Sequence, residues 1–247
     1  PPKSVGGKGG ASSSGLEIPN SLAALFLFAG RKWRKTERLH FENREDWLAG
    51  RMQGIGASEA AAVVGMSPWM SKLELWWLKV GAEKAKDLSG SAAVSRGVRM
   101  EPALRGLYMA IHPGRTVDYY PYDILYQKER PFIFATLDGE VTDERGRKGI
   151  LEIKTSSPNG KAGWAKWDGQ IPSHYYCQLL HQMLATGYEF VDLMASLENM
   201  DGDLSIRTYH FERAEQETDM AWLLEKETDF YQNNVLNGVP PAAILRL

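Results

Sequence analysis

The sequence predicts an α/β fold in which helices flank a central mixed β-sheet. Two observations carry that prediction. Apolar residues alternate with period two in the middle of the chain and in one later stretch, whereas helical periodicity and capping signals dominate before, between and after them. The resulting order of helices, strands, helices, strands and a closing helix suits an α/β sandwich around one mixed sheet. A length of 247 residues favours one large domain over two small ones.

Residues 1–15 are Gly/Ser-rich and read as a flexible leader, which leaves 16–247 as a single domain. Residues 19–29 suit a short helix. The run 31–38 sets Arg31, Lys32, Arg34, Lys35 and Arg38 around Trp33 and reads either as a DNA-phosphate contact or as a solvated charged helix end. Ser58 can cap an Ala-rich helix that stops near Gly65. Ser71 and Glu74 have capping-box spacing, Gly81 suits the end of that helix, and a longer helix covers about 92–110. Alternation then places strands over Tyr120–Tyr126, Phe132–Asp138 and Ile150–Lys154, with a turn at Asp143–Gly146 between the last two. Helices fit roughly 161–167 and 172–186. Two strands fit 189–198 and 204–211 around a turn at 201–203, and a helix over 213–234 turns Met220, Leu223, Leu224, Phe230 and Tyr231 inward.

Composition excludes several classes. The chain is 43% hydrophobic and 24% charged, which rules out a disordered protein, and no apolar run approaches a bilayer span. One cysteine excludes an internal disulfide framework and a multi-Cys zinc site. With no charged-then-apolar leader at Pro1, a cytoplasmic, reducing compartment is the default expectation, and no membrane partner is expected. A net charge of −2 excludes a broadly basic nucleic-acid surface; binding would need local basic clusters or metal ions offsetting acidic groups.

The central anomaly is the strand around Ile150–Lys154. Glu152 and Lys154 are two residues apart and share a face in an otherwise apolar stretch, where charge is costly unless paired or used. If the preceding strand pairs antiparallel with it, Asp138 lies beside Glu152. Two carboxylates held together raise each other's pKa, and a divalent cation relieves them. The residues alone leave two readings open: a ligand set, or a buried Asp/Glu/Lys ion-pair network. Glu101 likewise reads as a surface partner of Arg105 at i,i+4. In the helix 172–186, His174, Tyr175, Gln178, His181 and Gln182 read as a solvated polar stripe; the two histidines are too far apart to share an ion directly and receive no role. Gly54–Ile55–Gly56 is not a nucleotide loop, and Ser58 near Arg51 at a helix start reads as a cap, an anion site or both.

The Asp138…Glu152-x-Lys154 spacing resembles the PD-(D/E)xK nuclease core, with Leu137 where Pro is usual. The wider pattern resembles the YqaJ-type viral recombinase family, which contains the phage lambda-type exonucleases. It comprises Trp47 and Arg51; Gly54–Glu59; Ser67–Trp69; Leu73–Trp76; Gly97, Glu101 and Pro102; Ala135–Gly139; Leu151–Lys154; and Tyr175–Gln178 with Gln182. It covers about residues 47–200, in the family's order. After Lys154 the chain has Thr155–Pro158 where Cys-Pro is common, a departure that does not touch the ligand positions.

The resemblance implies an oxygen-rich set for Mg²⁺, with Mn²⁺ as substitute: Glu101, Asp138, Glu152 and the carbonyl of Ile153. It implies Lys154, Tyr175 and Gln178 as catalytic neighbours. It also implies Arg51, Ser58 and Thr136 as holders of a 5′-terminal phosphate; Thr136 keeps the hydroxyl of the family's frequent Ser. The implied activity is 5′→3′ hydrolysis of double-stranded DNA from its ends, in phage-type recombination by single-strand annealing, by a ring-shaped homotrimer working beside a single-strand annealing protein. An endonuclease with the same core and a non-catalytic DNA-end-binding module are the competing expectations.

Overall fold

The computed structural model describes residues 36–84 and 90–242. The expected leader over 1–15, the helix over 19–29 and Arg31–Lys35 of the basic run lie outside the described residues. Among those described, the strands form two mixed sheets rather than one. The first has the order β1-β4-β5-β2 and the second β3-β6-β7-β8-β9.

The first sheet joins β1 (Thr36–His40), β2 (Ile55–Gly56), β4 (Asp123–Gln127) and β5 (Ile133–Ala135). β1 runs antiparallel to β4, β4 antiparallel to β5, and β2 parallel to β5. Gly54 is required just before β2, because a Cβ there would lie 2.5 Å from the Phe132 carbonyl oxygen. The second sheet joins β3 (Thr116–Asp118), β6 (Gly139–Thr142), β7 (Lys148–Ser156), β8 (Phe190–Glu198) and β9 (Leu204–Glu212). Only β7 and β8 pair in parallel within it.

Alternation on β7 decides which side each residue serves. Leu151 and Ile153 pack with Leu104 and Tyr108 of α4 (Ala92–Ile111). Ile150 packs on the opposite face into the main core, with Leu179, Leu180 and Met183 of α6 (Ser173–Thr186) and Met220 and Leu223 of α7 (Glu217–Asp229). Around them lie α1 (Arg44–Arg51), the short α2 (Ala60–Val63), α3 (Lys72–Lys79) and α5 (Gly160–Ala165). The expected capping box of α3 is present: the Ser71 hydroxyl accepts the Glu74 N–H, and Glu74 accepts that of Ser71. Gly81 follows at φ 74°, a left-handed stop.

Several expectations need correction. The strand placed over Phe132–Asp138 ends at Ala135, because Asp138 spends its carboxyl on the Ile153 N–H and its carbonyl on Arg105 instead of on a ladder. The strand placed from Tyr120 starts only at Asp123, since Tyr122 sits at φ 62° and breaks the extended run. The closing helix divides into a 3₁₀ turn at Arg213–Glu215, α7 and a π-helical turn over Phe230–Leu236. Arg38 is not a helix end. It lies in β1 and ties the two sheets together through Asp123 at 2.5 Å and Glu140 at 2.6 Å. Among the described residues no helix is long and apolar enough to cross a membrane.

Candidate active site

The chain passes from the first sheet to the second through Thr136–Asp138, and a cavity of about 200 Å³ opens at that junction. One wall is the end of β7, with Glu152, Ile153 and Lys154, beside Asp138. Arg51, Ala57, Ser58, Phe134 and Thr136 also line the cavity. Glu101 reaches the cavity from α4 and Gln178 from α6, helices on opposite faces of the sheet. Every site residue singled out in the sequence lines this cavity except Tyr175, whose ring centre lies 5.1 Å from the Lys154 Nζ.

Register explains the carboxylate cluster. Gly139 of β6 faces Leu151 of β7, so Asp138 falls next to Glu152, and Asp138 Oδ2 accepts the Ile153 N–H at 2.8 Å. Glu152 is 2% exposed, and both its oxygens are engaged. Oε1 accepts Gln178 Nε2 at 2.7 Å and pairs with Lys154 Nζ at 2.5 Å; Oε2 accepts Gln182 Nε2 at 2.5 Å. Gln178 and Gln182 stand one turn apart on α6, which lets one helix clamp one carboxylate from two sides.

The electrostatics are lopsided. Burial first, then Glu152 and Glu101, hold the Asp138 carboxyl well above the usual range, against the opposing pull of Lys154 and the Ile153 N–H. Burial also raises Glu101, with Glu152 adding to it and Arg105 opposing. Burial alone would lower Lys154, but Glu152 and Asp138 outweigh it and keep the ammonium protonated. Burial raises Tyr175, so its phenol keeps its proton.

These donors fit a hard divalent cation. Carboxylates of Glu101, Asp138 and Glu152 and the Ile153 carbonyl supply oxygen ligands only, and the surplus negative charge is what such an ion neutralises. Among the described residues, no three His, Cys, Asp or Glu side chains are already gathered as a cation cage. Part of the reason is visible in Glu152, whose two oxygens already accept from Lys154 and the two glutamines.

The segment carrying Arg51 and Ser58 is held by an ion pair that is buried on its lysine side. Lys79 of α3, its side chain 1% exposed, lies 2.8 Å from Glu59 Oε2 and donates to the Arg51 carbonyl at 3.2 Å. Glu59 Oε2 also accepts the Gly56 N–H at 2.8 Å. Ser58 is therefore not the cap expected from the sequence. Glu59 does the capping, and Ser58 sits inside a 3₁₀ turn, where its hydroxyl accepts Arg51 Nη2 at 3.4 Å. The Arg51 guanidinium also lies over the Trp47 ring at 4.7 Å. Burial lowers its pKa, with Glu59 opposing.

Sequence reasoning missed Gln182, Lys79 and His181 as supports of the site. The polar stripe of α6 is not solvated: His181 and Gln182 are both 0% exposed. Its i, i+3, i+4 spacing fitted a buried polar face as well as a wet one, and only the pairing of Glu152 with α6 distinguishes them.

With this geometry in view, residues 46–189 match the model of the YqaJ-like viral recombinase domain. The chain belongs to that family. YqaJ of Bacillus subtilis strain 168 is 30% identical over 200 residues, covering 81% of this chain and 59% of that protein. The chain thus spans less than two thirds of its curated relative's length. Among solved structures, LHK-Exo in complex with dAMP is 23% identical, covers 79% of this family member and 98% of that chain, and superposes with a TM-score of 0.52. LHK-Exo is an alkaline exonuclease from Laribacter hongkongensis. A phage-related exonuclease from Haemophilus somnus 129PT is 13% identical, with 75% and 96% covered and a TM-score of 0.52. These likenesses show the fold: the YqaJ-like chain shares the mixed α/β architecture of these exonucleases.

Proposed function

We propose that this chain is a metal-dependent 5′→3′ exonuclease of double-stranded DNA. It would hydrolyse the 5′-terminated strand and leave a 3′ overhang for phage-type recombination by single-strand annealing. One observation carries the reading. A single cavity is lined by three acidic groups and a lysine together with an arginine and two hydroxyls. Family membership supports it.

Glu101, Asp138, Glu152 and the Ile153 carbonyl would hold Mg²⁺, or Mn²⁺ in its place. When bound, the ion supplies Lewis-acid stabilisation of the attacked phosphate and lowers the pKa of water. Arg51 and the hydroxyls of Ser58 and Thr136 bind the 5′-terminal phosphate, which sets the first phosphodiester against the acidic wall. Lys154, kept protonated, donates to charge developing on the attacked phosphate. Gln178 and Tyr175 orient the groups around it, Gln178 by holding Glu152 and Tyr175 through its ring beside the ammonium. Through the family, the reading extends to a homotrimeric ring and a phage single-strand annealing protein as partner; sedimentation of the purified chain tests the ring.

The test is an end-labelled duplex incubated with Mg²⁺. Wild type should shorten the 5′-phosphorylated strand stepwise, leave covalently closed circles intact and act faster on 5′-phosphate than on 5′-hydroxyl ends. Arg51→Ala removes a charged hydrogen bond, worth about 1.5–3 kcal/mol, and should slow phosphorylated ends roughly tenfold or more. Hydroxyl ends should slow far less. Equal wild-type rates on both ends would remove the role given to Arg51, Ser58 and Thr136, and cleavage of closed circles would point to an endonuclease.

A further inference from the structure

Beyond the cavity, an aromatic wall runs outward to solvent. The Tyr175 ring, 5.1 Å from Lys154 Nζ, lies 6.2 Å from that of Trp69 and 5.6 Å from that of Trp167. His174 stands edge-on to Trp69, centroids 4.7 Å apart at 82°. Trp167 is buried, but Trp69 is 67% exposed.

Single exposed aromatics need no explanation; this one differs in being held and in being continuous with the cavity. The Ser67 hydroxyl accepts the N–H of both Trp69 and Met70 at 3.2 Å, so the short loop carrying the indole is pinned from a nearly buried residue. His174 and Tyr175 pack against the ring, and most of the residue stays open to solvent. His174 is pushed down to about 4 by burial, with Lys154 and Lys166 adding, so the bracing group is neutral. A polar, cation-containing cavity leading onto an open aromatic face is the combination that binds unpaired nucleic acid: charge for the backbone, a ring for the base.

We propose that Trp69 is a base-stacking platform, on whose open indole face rests a nucleobase of the strand whose phosphates occupy the cavity. The proposal rests on the nuclease reading for the identity of the ligand. Stacking needs only a π face, so the platform serves all four bases and favours an end whose terminal pairs have opened. Trp69 then supplies binding and positioning, not chemistry.

The experiment measures binding of the full chain to 5′-phosphorylated duplex ends by fluorescence anisotropy, in EDTA and again in Ca²⁺. One set of duplexes is intact; the others carry a single abasic nucleotide at the first, second or third position of the 5′-terminated strand. Trp69→Ala and Trp69→Leu should weaken binding to intact ends roughly tenfold, while Trp69→Phe stays within about twofold of wild type. An abasic nucleotide at one of the three positions should weaken wild type and the Phe variant by a similar factor and leave the Ala and Leu variants unchanged. Thermal melts establish that the variants fold, and the Leu variant keeps the comparison valid if Ala does not. If every variant shows the wild-type ratio of intact to abasic affinity, the platform is overturned and the nuclease reading is untouched. If Trp69-dependent base discrimination appears but wild type yields no product with Mg²⁺, the platform stands and the nuclease reading falls. If wild type binds no duplex end in either condition, both fall.

Discussion

Asp138→Asn is expected to abolish hydrolysis and, in the absence of metal, to make the protein more stable. The two effects share one cause. The carboxyl is enclosed beside Glu152 and Glu101, and its pKa is raised by burial first and by those neighbours second. For an acid whose folded pKa exceeds its unfolded value, ionisation costs stability: the fold weakens as pH climbs from the unfolded pKa through the folded one. Asparagine is isosteric, accepts the Ile153 N–H through its carbonyl oxygen and carries no charge to repel. Neutralising a frustrated active-site group of this kind typically returns about 0.5–2 kcal/mol. At this chain length that is a rise of a few degrees in melting temperature. Activity should fall by at least about 10²–10³-fold, the loss when one preorganised electrostatic group is removed. The discriminating measurement is a melt with and without Mg²⁺. A cation that binds only the folded state at about a hundred times its Kd stabilises by about 2.7 kcal/mol. Wild type should gain that increment and the Asn variant should not. A destabilised Asn variant, or one that Mg²⁺ still stabilises as much as wild type, would mean that Asp138 is a structural partner and that the acidic wall is an ion-pair network.

Much of this cavity could be read from the chain because its signals are local. Glu152 and Lys154 share a strand face by period two alone, and a short turn with Asp143 at its start dictates an antiparallel hairpin that returns Asp138 to them. Helix ends were legible where side chains cap their own backbone, as at Ser71 and Glu74. What failed to show were features decided by distant partners. β1 is a strand because Arg38 finds Asp123 and Glu140 some 85 and 102 residues onward, and nothing in its basic neighbourhood announces that pairing. The division into two sheets follows from three residues, Thr136–Asp138, whose apolar–polar rhythm continues that of β5 while their hydrogen bonds go elsewhere. Lys79 reads as an ordinary basic helix end until α3 is packed and its ammonium lands on Glu59.

His181 is the sharpest case of a residue without a visible role in the sequence, and it should carry the largest stability effect in the molecule. It is 0% exposed on α6, and each ring nitrogen faces an acceptor: Nδ1 lies 2.6 Å from Glu227 Oε1 and Nε2 2.9 Å from the Phe134 carbonyl. With Glu227 ionised, the doubly protonated ring satisfies both. Burial lowers its pKa, but Glu227, the Phe134 carbonyl and the more distant Glu59 outweigh it and leave the pKa raised. A histidine shifted upward gives its full stabilisation below its unfolded pKa and loses it as pH rises through the folded value. His181→Ala leaves Glu227 enclosed with no cation beside it; breaking a buried pair in this way costs about 3–5 kcal/mol. That corresponds to a melting temperature lower by roughly 10 °C at pH 6. The gap should narrow as pH rises through the folded pKa, where wild type also loses the imidazolium. Replacing the pair together, as His181→Leu with Glu227→Met, should recover most of the loss, because an apolar pair leaves no charge to strand. Phe134 lines the cavity two residues before Thr136, so the same anchor fixes the part of its lining proposed to hold the phosphate. The repacked double variant should therefore melt near wild type yet discriminate less between 5′-phosphate and 5′-hydroxyl ends. A His181→Ala variant that melts within a degree or two of wild type at pH 6 would show that the ring is neutral in the fold and that α7 holds this lining by packing alone.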